Sequence, residues 1–207
     1  MARRKASRGE GTRTALMEAA LKQVARGRSF EAMSLRKLAQ SVDIVPTAFY
    51  RHFESMEALG LALVDECLRT LRRMMREARE RELPDSQILR DSVETYFRYV
   101  QANRLHFTFI MRERYGGVAA LRHAIRAGIA LFVSELATDL GRFPGLTRWT
   151  SEDLRMIAGL IVSTVTEATE SVLEADGHHP EQVDLELALT EKKLRLVLLA
   201  VPHWRSG

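Results

Sequence analysis

Apolar residues recur every three or four positions through most of the chain, and no segment alternates well enough to predict a strand. That period marks helices that bury one face. Leu16, Ala19, Ala20, Leu21 and Val24 form such a stripe and predict a first helix over residues 12–25, with Gly27 placed to stop it. Leu35, Leu38, Ala39 and Val42 form a second stripe, with Ser34 ahead of it as an N-cap. Asp43 and Ile44 make a turn. Pro46 then sits early in the next helix, where its missing N–H costs nothing, and Ala48, Phe49 and Phe53 anchor it. Phe30 and Met33 are expected to pack beneath. Two short crossed helices with a tip of small side chains, Val45, Pro46 and Thr47, have the shape of a helix-turn-helix.

A long helix follows over 55–81, capped by Ser55, with Glu57 in its first turn and Leu59, Leu63, Leu68, Leu71 and Met75 on one face. Leu83–Pro84–Asp85 closes it. Five further helices are expected at about 86–102, 104–114, 118–140, 151–175 and 181–200. The breaks fall at Asn103, Gly116–Gly117, Gly141–Gly145 and Asp176–Pro180. The pattern predicts an all-α protein of about nine helices: a helix-turn-helix domain at 1–54 and a helical body at 55–207. No internal repeat emerges.

Charge sharpens this division. Residues 1–53 hold 11 Lys/Arg and 4 Asp/Glu, a balance of +7; the remaining 20 and 23 give −3. The basic end carries the helix-turn-helix, as expected of a piece that neutralises phosphates. Arg3, Arg4, Lys5 and Arg8 are expected to form a mobile basic arm. An apolar content of 46% with 28% charged residues excludes a disordered chain. The lone Cys67 forms no intrachain disulfide, which fits a reducing cytoplasm, and no uninterrupted apolar run is long enough to cross a membrane.

Catalytic chemistry has no constellation here. GxGxxG, GxxxxGK[ST] and GxSxG are absent. His178–His179 lie in a turn-forming DGHHP stretch, and His106 and His123 have no cysteine at zinc spacing. The expectation is no enzyme, no metal and no cofactor.

Phe49–Tyr50–Arg51–His52–Phe53, followed by Ser55, Glu57, Ala58 and Leu59, resembles the end of the TetR-family DNA-binding domain and the start of its connecting helix. The match runs from about Thr12 to Leu63. The strings IVPTAFYRHF, LRRMMREARER and MRER resemble the FabR/DesT group of that family, in which acyl-CoA is the signal and unsaturated fatty-acid synthesis the controlled process. Met56 departs from the pattern, standing where most of the family carries a phosphate-contacting lysine. The resemblance implies a homodimeric repressor on a palindromic double-stranded operator, with the helical body at 55–207 as its ligand-binding and dimerisation domain. Phosphates would be met by the arm, by Arg13 and Thr14 in the first turn of helix 1, and by Ser34, Arg36, Tyr50 and His52. Bases would be met by Val45, Pro46, Thr47 and Arg51, with apolar contact to thymine methyls.

In the body, Tyr96, Phe97, Val100, Phe107, Phe109, Ile110 and Phe132 are concentrated near the centre. Periodicity leaves a filled core and a lined pocket equally open; the resemblance implies a pocket for an acyl chain, with Phe97, Val100, Phe107 and Phe132 lining it. Arg104, Arg112 and Arg114 are either binders of coenzyme A phosphates or helix-end charges pairing with neighbours such as Glu113. Leu160, Ile161, Val165 and Ala168, with Leu185, Leu189, Leu194, Leu196 and Leu198, suggest a buried subunit interface. Two rival readings are a TetR-type repressor answering a drug or other small hydrophobic effector, and an acyl-handling enzyme or carrier. The second leaves the basic head unexplained.

Overall fold

The computed structural model describes the backbone of residues 2–79, 88–143, 145–175 and 180–205, and the side chains of 10–74, 89–143, 145–175 and 181–205. Nine α-helices and a closing 3-10 turn are found among the described residues, and no strand. They are α1 (Ala2–Ala25), α2 (Leu35–Gln40), α3 (Pro46–Phe49), α4 (Met56–Arg79), α5 (Ile88–Ala102), α6 (Arg104–Glu113), α7 (Ala119–Leu140), α8 (Ser151–Glu174) and α9 (Pro180–Leu199). The all-α expectation holds. The predicted stops at 83–85 and 176–179, the histidines of the latter stretch, and the side chains of the basic arm lie outside the described residues.

The local chemistry of the helix ends is as the sequence dictates. Gly27 takes φ +91°, a conformation in which a β-carbon is strained, and its N–H bonds to Val24 O at 2.9 Å to end α1. Ser34 caps α2 and Ser55 caps α4, where the amide of Ala58 donates to Ser55 Oγ at 3.0 Å. Asp43 carries the turn in the left-handed region at φ 55°. Thr150 caps α8 through the Asp153 amide at 3.2 Å.

One expectation is corrected at the N-terminus. Residues 2–11 are not an irregular arm preceding the first helix, because α1 is continuous from Ala2. Arg, Lys, Ala and Glu favour the helix and outweigh Gly9 and Gly11, each of which costs about 1 kcal/mol.

Packing divides the chain into two compact units: Met1–Thr70 with Leu105–Arg126, and Leu71–Arg104 with Ala127–Gly207. The first unit buries Leu16, Leu21, Val24, Phe30, Leu38, Phe49, Leu59, Leu63, Phe109, Leu121 and Ile125. It therefore holds the helix-turn-helix together with most of α6 and the start of α7. In the second, α5 packs on α8 and α9, and α8 on α9. Ala137, Leu140, Leu146, Ile157 and Ala158 form a further cluster there, flanked by Trp149, Ile161 and Val197. By length and composition α8 is able to cross a bilayer, with a mean hydropathy of 1.3 over its most apolar 18 residues. In this structure it packs on α5 and α9, and 28% of that window is buried.

Candidate nucleic-acid interface and effector-binding body

The α2–α3 pair separates its side chains cleanly. Phe49 and Phe53 are buried with ring centroids 5.7 Å apart, and Leu38 and Ala39 are buried beside them. Facing solvent are Val45 (64% exposed), Pro46, Thr47, Tyr50 (60% exposed) and Arg51. Leaving Val45 and Tyr50 in water while four neighbours fill the core is unfavourable for an isolated head, and it suits a tip that meets a partner. Ser34 and Arg36 are exposed at the start of α2, and His52 is half-buried.

Arg13 and Thr14 differ from expectation. Because α1 starts at Ala2, both lie well inside the helix and offer no free backbone N–H to a phosphate. Thr14 Oγ1 donates to Glu10 O at 3.0 Å. Arg13 donates to His52 O at 3.0 Å and stacks over Phe53 at 4.2 Å, so it fastens α1 to the end of the recognition turn. Its role shown here is to hold that turn.

A feature missed in the sequence is an open groove of about 720 Å³ between α1 and the α2 end of the turn, lined by Lys22, Arg26, Arg28 and Lys37 with Glu18 and Asp43. Glu18 pairs with Lys22 at 2.7 Å, and that contact lowers its carboxyl below the usual range. The spacing of Glu18, Lys22 and Arg26 was the visible signal. The approach of Lys37 was not visible, because it depends on how α2 packs.

Within the same unit, α6 is bolted to the head. Arg112 Nη1 donates to Val24 O at 2.6 Å, at the C-terminal end of α1. Glu113 is buried and accepts the Phe30 amide at 3.2 Å, while its Oε2 has no hydrogen-bond partner among the described residues. Burial pushes its carboxyl up; the Phe30 amide and Arg112 oppose this, and nearby Glu31 adds to it. Phe30 meets Phe109 edge-on at 5.9 Å.

The residues expected to hold an effector are divided between the units. Phe97, Val100, Arg104 and Phe132 belong to the second; Phe107, Arg112 and Arg114 belong to the first. Phe97, Val100, Phe107 and Phe132 are all buried. Tyr96, beside them in sequence, shares a 2.7 Å hydrogen bond with Thr169, and burial raises its phenol to about 12. All three arginines have partners within the chain, and those partners include groups other than the acids that the sequence offered. Arg104 grips the C-terminal carbonyls of α8: Val172 at 3.5 Å, Ala175 at 3.3 Å and Leu173. Arg112 holds α1 as described. Arg114 bonds the Tyr115 hydroxyl and stacks on that ring at 4.6 Å. Backbone carbonyls as partners leave no mark in a sequence.

Outward faces of α8 and α9 remain apolar. Met156 and Leu160 are exposed on α8; Leu185 (69%), Leu189, Leu196 (70%) and Leu199 are exposed on α9. Leu194, placed by the sequence reading in a subunit interface, is instead 3% exposed inside the protomer, along with Leu187 and Thr190. Helix α9 carries two leucine stripes, one packed inward and one outward. Cys67 is buried, and burial pushes its thiol up, so it is a packing residue. Among the described residues no group of three or more His, Cys, Asp or Glu is arranged to hold a metal.

Comparisons with known proteins agree with this arrangement. The family model described as "Bacterial regulatory proteins, tetR family" matches residues 16–63. The one described as "Tetracyclin repressor-like, C-terminal domain" matches residues 85–196. The transcriptional regulator FadR from Bacillus subtilis, solved in complex with stearoyl-CoA, is 15% identical, covering 89% of this chain and 96% of its own, with a TM-score of 0.63. The fatty acid degradation regulator FadR from Bacillus halodurans is 15% identical, covering 93% and 99%, with a TM-score of 0.61. A TetR family transcriptional regulator from Chloroflexus aurantiacus J-10-FL is 15% identical, covering 94% and 93%, with a TM-score of 0.56. At these identities the likeness establishes the fold. With a helix-turn-helix head, a helical body and family models matching both, the chain belongs to the TetR family of bacterial transcription regulators.

Proposed function

We propose that the protein is a cytoplasmic, homodimeric repressor whose affinity for a palindromic operator is set by long-chain acyl-CoA, and that the genes it controls serve unsaturated fatty-acid synthesis. The observation that carries the DNA-binding part is the exposed tip of Val45, Pro46, Thr47, Tyr50 and Arg51 on a buried Phe49–Phe53 base. One such tip contacts few bases, and a second copy doubles the contacts. The outward leucines of α8 and α9 are the surface offered to that copy. Residues Arg36, Ser34, Tyr50 and His52 take phosphates; Val45, Pro46, Thr47 and Arg51 approach bases.

Support for the effector is the buried aromatic set, including Phe97 and Phe132, together with the likeness to a regulator solved with stearoyl-CoA. Saturated and cis-unsaturated chains differ in shape, one straight and one bent. A packed aromatic lining responds to such a difference in steps. The two acyl-CoA types are expected to compete for one site and to shift operator affinity in opposite directions, with the unsaturated form favouring DNA. A ligand achieves this only by binding one arrangement better, and couplings of about 1–3 kcal/mol are ordinary. The test is operator titration at saturating stearoyl-CoA and oleoyl-CoA. Equal shifts refute sensing of chain shape. No shift with either refutes acyl-CoA and leaves another small hydrophobic effector.

A further inference from the structure

Among the described residues, Arg72 is an arginine whose Nε is buried without a hydrogen-bond partner. It lies on α4 just past the point where that helix leaves the first unit, at Thr70. Its guanidinium stands over the Phe132 ring at 5.9 Å. The side chain as a whole is half-buried, but a buried donor without an acceptor costs about 1–3 kcal/mol, and native proteins keep few of them. Arg104, by contrast, is satisfied by carbonyls of α8, and Arg112 by Val24.

We infer that Arg72 is the anchor for the head of an acyl ligand: a negatively charged oxygen group at the end of a long apolar chain, received by the guanidinium with Phe132 as the platform beneath. This rests on the acyl-effector reading above. The chemistry suits the position. A guanidinium presents planar donors that match a carboxylate or a phosphate, and it stacks on an aromatic face while doing so. Phe132 is buried, and the second unit also buries Phe97 and Val100, so that unit has apolar side chains of the kind the tail of such a ligand needs. Because Arg72 is carried by α4, which begins at Met56 directly after the recognition turn, a ligand held there is attached to the helix that leads from the DNA-binding head.

The experiment is calorimetric titration of full-length wild type and Arg72→Gln with three probes: stearoyl-CoA, stearate and uncharged 1-octadecanol. Thermal unfolding of both ligand-free proteins is recorded alongside. The expected result is that Arg72→Gln weakens the charged probes about 10- to 100-fold and leaves 1-octadecanol affinity and the unfolding temperature unchanged. If only stearoyl-CoA is weakened, the anion held is a phosphate of the coenzyme; if only stearate is weakened, it is a free carboxylate; if both are weakened, the site takes either anion. Equal affinity of wild type and variant for the charged probes overturns the anchor while the acyl reading stands. Equal weakening of all three probes, or a fall in unfolding temperature, shows Arg72 to be structural and also overturns it. Failure of the wild type to bind any probe overturns the acyl reading and the anchor together.

Discussion

Gly60 offers a sharp test of how the head is packed. A β-carbon there would stand 2.8 and 2.9 Å from Cε1 and Cζ of Phe30, and 3.0 Å from Cδ1 of Leu121. Carbon atoms prefer about 3.5–4.0 Å, so alanine forces a neighbour back by roughly 0.5–1 Å. Phe30 has little freedom to move: its amide is bonded to Glu113, and its ring is set against Phe109. Overpacking of this kind costs about 1–3 kcal/mol, while replacing glycine inside a helix returns about 1 kcal/mol. The net expectation for Gly60→Ala is a loss of about 1 kcal/mol, or about 2–4 °C in unfolding temperature for a chain of this size. Gly11, in α1, has no atom within 4 Å of the same added carbon. Gly11→Ala therefore keeps only the propensity gain and should raise the unfolding temperature by about 1–3 °C. Scanning calorimetry at one fixed protein concentration compares them, since assembly makes unfolding concentration-dependent. If Gly60→Ala stabilises as much as Gly11→Ala, the Phe30 junction is not packed as described.

Other substitutions address assembly, DNA and pH. Leu189→Glu with Leu196→Glu places charge on the outward stripe of α9 and should yield a folded monomer by light scattering; Leu194→Ala should instead cost about 2–5 kcal/mol in urea unfolding without being a specific test of the dimer. Arg36→Ala should flatten the slope of log K against log salt by about one unit in operator titration, and an unchanged slope removes Arg36 from the phosphates. Thr47→Ala should change preference at one base pair per half-site by about 1–3 kcal/mol, with equal response at all positions excluding base reading. Glu113 has its carboxyl raised by burial, so its folded form favours the proton. Stability from that source is full below the ordinary glutamate value of about 4.3 and is lost as pH rises through the raised value. Glu113→Gln keeps an acceptor for Phe30, so its urea midpoint should gain on wild type between pH 4 and 7; a constant difference across that range contradicts the burial effect.

Much of this was legible in the chain. Helices came from periodicity, and their ends from Ser34, Gly27, Asp43 and Ser55, because those signals act through neighbours a few residues away. The recognition tip was legible for the same reason. What failed depended on distant partners. For Arg104, Arg112 and Arg114 the sequence left anion binding and helix-end charge open, and the carbonyls of other helices that two of them hold leave no signal in it. Leu194 and Leu196 are both leucines two positions apart, and only the neighbouring helices decide which is covered. Arg13 was misjudged because a helix start was read at Thr12 where the basic stretch continues the helix.

The composition of the first unit has a bearing on how the protein is made. Its residues are not contiguous: 34 residues, 71–104, separate its two segments. During synthesis the helix-turn-helix emerges early, yet Phe30 has neither Phe109 nor Leu121 to pack against until those residues follow. Bringing the segments together requires closing a loop, whose entropic cost grows only slowly with length. The head is thus completed late, and a nascent chain ending near residue 70 carries recognition residues on an unfinished core. The helix that completes this core, α6, thus lies within residues 85–196, the part matched by the C-terminal domain model.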